Sequence, residues 1–382
     1  MRLFPHFAGI GKDFSAMTKI HGFVDGERGS DVVGWILNDK NPSNLEDVVF
    51  KSENGKSLTA KAFLYRLDVC RAFSKTGKFG FAVPVRSLLE IGRNFQVTNR
   101  FGELLSNGTL TISANDQGVS QDPHKGFIFL HIQKCAGTSL RSSLQERLPQ
   151  SASLMIYPGG IPGLSLQELN SLPLHQRQSL RLLIGHTYFG IGKFLGQQAR
   201  YLTFLRDPLA RLKSNYWHHR VAGMDAIEIG GVSVPLHVAV NEGLSEEFDN
   251  LQTRMVAGTA ASEVPLGRMT GSELALALHN IDTSFAFVGL AEQMAEDLPR
   301  LCEVIGIPAA PVRFENITPR SGNDITDLDY AKIDWTKVLQ NNRIDVELYR
   351  EIQARRARHV APAAVPQAVK RAPAPAIERI AS

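Results

Sequence analysis

The stretch GFIFLHIQKCAGTSL, residues 126–140, limits what this chain can fold into more than any other. Gly126 to Ile132 are mostly β-branched and aromatic, the composition of a strand covered on both faces. The polar run Gln133-Lys134-Cys135-Ala136-Gly137-Thr138-Ser139 follows at once, and Gly137 permits a close backbone approach. Thr138 or Ser139 can begin a helix, which then carries Leu140, Leu144 and Leu148 at spacings of four. Strand, tight turn and helix make the first unit of an α/β sheet. N–H groups without internal partners, hydroxyls and the Lys134 ammonium at a helix N-terminus together suit a phosphate. The loop is not a G-x-x-x-x-G-K-[ST] motif, because Lys134 precedes the glycine by three residues.

A second stretch, YLTFLRDPLARLKSNYWHH, repeats the theme about 70 residues later. A strand ends at Leu205, Arg206 follows, and Asp207-Pro208 supply an N-cap and a first helical residue. Ser214 lies about two turns along that helix, on a face that can look back at Arg206. A guanidinium fork plus a hydroxyl suits a dianionic phosphate. The alternative is that Arg206 pairs with Asp207 or another nearby carboxylate. Between the two stretches LRLLIGH reads as a further buried strand ending at His186. An imidazole there suits general-base work near neutrality, or simply bonds the end of its strand. YLTFL and FAFVGL read as strands, and helices are expected from Ser165, over Leu236 to about Gly258, over SELALALHNID, over EQMAEDLPRLCEVIG and over Asp334 to Ala354.

The order K-x-x-G-T-S after an apolar strand, followed by Arg206 with Ser214 eight residues on, resembles the sulfotransferases that use 3′-phosphoadenosine 5′-phosphosulfate (PAPS). The similarity is to the carbohydrate sulfotransferases related to heparan sulfate 2-O-sulfotransferases and their bacterial relatives, over roughly residues 126 to 350. It implies an α/β fold with a P-loop-like parallel sheet flanked by helices. It implies that Lys134, Cys135, Ala136, Gly137, Thr138 and Ser139 hold the 5′-phosphosulfate, and that Arg206 and Ser214 hold the 3′-phosphate. Gly185-His186 resembles the segment that carries the catalytic base, and Lys134 is the candidate to neutralise the leaving group. RFENITPRSG resembles a late loop closing over the nucleotide, which makes Thr318 and Arg320 candidate contacts. NLQTRMVAG resembles a segment that lines the acceptor cleft or packs the core, with Arg254 in either role. His218, His219 and Arg220 end the Arg206 helix and are candidates to face the acceptor, although a helix C-terminus also favours such residues. The expected activity is sulfuryl transfer to a hydroxyl, most naturally on a glycan, with no metal. Gln133 and Cys135 depart from the proline and hydroxyl residues usual in relatives. Rival readings are a nucleotide kinase with an unusual phosphate loop and a glycan-binding protein with a degenerate transferase domain.

The remainder sets the frame. Residues 1–17 read as a lead-in, and 18–113 hold short strands rich in Val, Ile, Phe and Thr between turn dipeptides such as Asn54-Gly55, as in a small β-sandwich. Trp35, Tyr65 and Phe81 are core aromatics or a sugar-stacking surface, and Arg66 with Asp68 is a structural pair. Residues 114–125 read as a linker, 126–353 as the α/β domain and 354–382 as a disordered tail. That tail concentrates Arg355, Arg356, Arg358, Lys370, Arg371 and Arg379 against Glu378. The net charge of +4 therefore resides there, and it gives no argument for a nucleic-acid partner. Cys70, Cys135 and Cys302 are too widely spaced for a disulfide framework or a zinc site. With no apolar run of membrane-spanning length and no secretory h-region, the expected location is the cytoplasm.

Overall fold

The computed structural model describes residues 19–113, 126–135, 147–157, 163–196, 198–308 and 328–360, together with Gly137, Leu140 and Leu144. The molecule is mixed α/β. A parallel sheet flanked by helices follows an N-terminal curled antiparallel sheet.

The parallel sheet has five strands: β9 (Gly126–Leu130), β10 (Ser153–Ile156), β11 (Leu182–Gly185), β12 (Ala199–Leu205) and β15 (Phe285–Leu290). They lie in the order β10-β11-β9-β12-β15, every neighbouring pair parallel. All five residues of β9 are buried, as a central strand requires. Its side chains alternate between two cores. Ile128 and Leu130 pack with Met255, Val256, Leu348 and Ile352 on one face, whereas Phe127 and Phe129 pack with Leu140, Leu144, Leu298 and Leu301 on the other. Leu140, Leu144 and Leu148 thus face one core together, as their spacing predicts. Five helices matter below: α1 (Pro208–Val221), α2 (Leu251–Ala257), α3 (Gly271–Ser284), α4 (Met294–Ile305) and α5 (Arg343–Val360). The Asp207 carboxylate caps α1, accepting from the Ala210 N–H at 2.8 Å, with Pro208 at the first helical position.

Three expectations are corrected. The helical pattern from Leu236 to Gly258 is broken into Leu236–Glu242, a 3₁₀ turn at Glu246–Phe248 and α2. Gly243 ends the first piece at φ 62°, and Asn250 turns the chain into α2 at φ 51°. The last helix is likewise two helices, Trp335–Asn341 and α5, and α5 runs to Val360 instead of ending at Ala354. The first residues assigned to a tail are therefore helical, with Arg355 paired to Glu351 and Arg356 to the buried Asp297. A strand, β10, lies in the segment 151–178 that reads as loop-rich. A hairpin, β13 (Ala226–Ile229) and β14 (Val232–Pro235), turns on Gly230-Gly231, both at positive φ.

The N-terminal part is one curled sheet, not two separate sheets. Its strands are β1 (Ile20–Arg28), β2 (Asp31–Asn38), β3 (Asp47–Ser52), β4 (Ser57–Lys61), β5 (Leu64–Tyr65), β6 (Lys78–Pro84), β7 (Asn94–Asn99) and β8 (Leu104–Thr111). Their order is β4-β3-β7-β8-β1-β2-β6-β5, joined in the middle by a parallel contact at Phe23 and Ser106. The two halves close on a shared core in which the Phe50 and Phe81 rings meet edge to face at 6.0 Å. Phe81 is core, Trp35 and Tyr65 are partly buried packing residues, and Arg66 pairs with Asp68 and Asp25. The three cysteines are free and buried. Among the described residues no helix is long and apolar enough to cross a membrane.

Buried polar contacts fasten the two sheets together. The Asp31 carboxylate, 2 % exposed, accepts from the Ser151 hydroxyl at 2.5 Å and the Ser151 N–H at 3.0 Å. The Gln176 side-chain amide accepts from the Lys61 N–H and donates to the Lys61 carbonyl, as another strand would. Lys78 pairs with Glu168 at 2.5 Å, and Phe63 packs into the core of the parallel sheet. Ser151→Ala removes one of the bonds that offset burial of the Asp31 carboxylate. It should cost about 1–3 kcal/mol in urea unfolding; an unchanged midpoint would show the contact to be idle.

Candidate functional site

Four neighbouring parallel strands end on a polar residue at one edge of the sheet. Tyr157 follows β10, His186 follows β11, His131 follows β9 and Arg206 follows β12. The carboxyl edge of an open α/β sheet is where such folds gather ligand groups.

On one side of β9 the residues form an aromatic cluster. His186 Nδ1 lies 2.6 Å from the His131 carbonyl oxygen. A carbonyl only accepts, so Nδ1 carries the proton, and the lone pair of the neutral ring is on Nε2. The His131 and His186 rings are 4.4 Å apart, and the Tyr157 ring is 4.9 Å from His186. Tyr157 Oη reaches His131 Nδ1 at 3.2 Å. Gly137 is required here for packing: a Cβ at that position would come within 1.9 Å of the His131 ring.

On the other side of β9 lie two cations. Lys134 has a left-handed backbone, φ 66°, which costs a non-glycine residue on the order of 1 kcal/mol or more. The Arg206 guanidinium holds that turn by donating from Nη1 to the Lys134 carbonyl at 2.9 Å. Gln252, 1 % exposed, clasps the end of β12: its Oε1 accepts from the Arg206 N–H at 2.9 Å and its Nε2 donates to the Arg206 carbonyl at 2.9 Å. Among the described residues neither Lys134 nor Arg206 has a carboxylate partner, and the Asp207 carboxylate is committed to its cap. Burial first, and the Arg206 charge second, hold the Lys134 ammonium below the ordinary lysine pKa.

The remaining predicted residues separate clearly. Cys135 is buried. Its thiol donates to Gln252 Oε1 at 3.5 Å, and its N–H bonds the Ile132 carbonyl. Burial pushes that thiol up to about 12, so it is an inert packing group rather than a donor facing the loop opening. Ser214 is half-buried on α1, one turn before His218. Partial burial first, and the Lys134 charge next, hold the His218 imidazole below its ordinary value, which puts His218 within electrostatic reach of Lys134. Ser214 and His218 share a helix face by their spacing of four. Arg254 is a core residue, fully buried, paired with Asp249 and bonded to the carbonyls of Ala261 and Val264. Ala136, Thr138, Ser139, Thr318 and Arg320 lie outside the described residues.

The sequence reading missed His131, Tyr157 and Gln252. His131 stood inside the motif. Tyr157 follows a strand of only four residues and runs into Pro158-Gly159-Gly160, so the segment reads as loop, and Gln252 looks like an ordinary polar helix residue. The chain matches no known family model, and no curated protein matches it.

A dianion would suit two half-buried cations that have no carboxylate partner among the described residues, and its binding should follow the Lys134 charge. In the ligand-free chain the depressed pKa means that the unfolded state binds more protons, so stability rises with pH just below 10.5. Sulfate binding carries the opposite sign. Measured by calorimetry, it should weaken as pH climbs towards 10.5 in the wild type and stay level in Lys134→Arg, which keeps its charge. The same decline in both proteins would assign the titrating group elsewhere.

Proposed function

We propose that this edge is the donor site of a sulfotransferase that moves a sulfuryl group from PAPS to an acceptor hydroxyl, with a glycan as the acceptor class. The observation that carries the reading is the pair of adjacent cations, Lys134 and Arg206, at the ends of β9 and β12 with no carboxylate partner among the described residues. The donor set fits the group. An ammonium and a guanidinium, both half-buried, suit phosphate and phosphosulfate oxygens, and His186 stands one strand away.

The chain's own residues then take distinct parts. Lys134 binds the 5′ end and neutralises negative charge at the bridging oxygen. Arg206 and Ser214 bind the 3′-phosphate. This choice disfavours ATP, because a half-buried arginine left without its anion is costly. His186 takes the acceptor proton on Nε2, while the His131 carbonyl fixes its tautomer through Nδ1. Tyr157 and His131 hold that ring in place. Gln252 keeps Arg206 at the strand end. When bound, PAPS supplies a sulfuryl group whose sulfur is attacked in line by the hydroxyl oxygen as the bond to the 5′-phosphate breaks.

Arg206→Ala tests the assignment without any acceptor. It should weaken 3′-phosphoadenosine 5′-phosphate (PAP) at least about tenfold, the loss of one charge-assisted bond. It should change adenosine 5′-phosphosulfate, which has no 3′-phosphate, far less. Equal losses for both ligands would remove the 3′-phosphate role. His186→Ala should bind PAP normally and release no sulfate from a labelled donor to an acceptor.

A further inference from the structure

α1 ends in two adjacent histidines that face different surroundings. His218 lies within electrostatic reach of Lys134, and His219 lines a separate cavity of about 410 Å³, a size that takes a small ligand. The β13–β14 hairpin closes one side of this cavity with Glu228, and Ser245, Glu247 and Phe248 close the other. Its polar groups are chiefly acceptors. Glu247 accepts from His219 Nε2 at 2.8 Å and from the Asn215 amide at 2.8 Å. The His219 bond is the first cause holding its carboxyl below the usual carboxylate range, so Glu247 is charged. The other ring nitrogen, His219 Nδ1, is buried, so the carboxylates and Ser245 present the polar side-chain atoms of the lining.

No lysine or arginine lines the cavity, and two carboxylates do. An anionic ligand would meet repulsion there. A hydroxyl-rich or amine-bearing ligand would donate to Glu228 and Glu247, with the Phe248 side of the cavity suiting its apolar face. We propose that this cavity binds the acceptor and selects an uncharged sugar or an amino sugar over an anionic one. Its role as an acceptor site rests on the sulfuryl-transfer reading; its ligand preference rests on the lining alone. A hydrogen bond also links it to the His186 side of the site: the 3₁₀ turn that carries Glu247 carries Glu246, which accepts from the hydroxyl of Tyr188, two residues beyond His186.

Saturation-transfer NMR on the full chain with methyl glucoside, glucosamine and glucuronate tests this. The first two should show saturation at least about fivefold above glucuronate. Leu244→Trp, which fills the cavity, should remove it. Glu228→Lys, at an exposed position that tolerates a new charge, should raise glucuronate to or above methyl glucoside. Glucuronate equal to methyl glucoside in the wild type, no sugar saturation at all, or an order unmoved by Glu228→Lys would overturn the proposal. PAP calorimetry on the same samples separates it from the donor-site reading. Sugar selectivity without PAP binding would support the cavity and sink the transfer reading. PAP binding without sugar selectivity would sink the cavity alone.

Discussion

The bond from the Arg206 guanidinium to the Lys134 carbonyl is the contact on which the site depends. It pins a lysine in a left-handed turn and sets two like charges beside each other in partial burial, an arrangement that a fold does not adopt for its own stability. The support comes from behind. Gln252 clasps both backbone groups of Arg206 and accepts from the Cys135 thiol, so one buried amide ties the β12 end to the loop after β9. Gln252 is itself fixed by a reciprocal cap. The Asp345 carboxylate, at the start of α5, accepts from the N–H groups of Gln252 and Thr253 at the start of α2. The Asn250 side chain, just before α2, accepts in return from the N–H groups of Ile344 and Asp345.

That reciprocal cap shows why the sequence was legible in some places and opaque in others. Local signals carried the strands β9, β11, β12 and β15, the Asp207-Pro208 helix start and the placement of Lys134, Arg206 and His186 at strand ends. Each needs only a few neighbouring residues to specify it. The breaks at Asn250 and Asn342 are long-range events. Asn342 is buried and donates to the Phe248 carbonyl, and first-turn N–H groups of α5, which have no partner within the helix, are met by Asn250, more than ninety residues earlier. Neither partner is visible in a hydrophobic period. Tyr157 and His131 failed to register for the same reason. Their contact exists only because β10 and β9 both flank β11, and strand order is not written in either segment. By its place in the loop motif Cys135 reads as a phosphate donor; burial against Gln252 gives it a packing role instead.

The N-terminal sheet is no loosely tethered appendage. Asp31, Lys61 and Lys78 reach Ser151, Gln176 and Glu168, which flank β10 and β11, the half of the parallel sheet that carries Tyr157 and His186. A hydrogen-bonded carboxylate, a strand-like amide pair and an ion pair with a nearly buried lysine specify one docking arrangement where apolar contact alone would allow several. The antiparallel sheet therefore braces the His186 side of the site, and the α2–α5 pair braces the cation side.

Thermal unfolding with PAP, with ATP and without nucleotide tests the central claim most directly, that Lys134 and Arg206 await a ligand with phosphates at both ends. At a hundredfold over its Kd, PAP should stabilise the chain by about 2.7 kcal/mol. ATP, with no 3′-phosphate for Arg206, should give a clearly smaller shift at the same concentration. An ATP shift as large as that with PAP, or no PAP shift at saturating concentration, would contradict it.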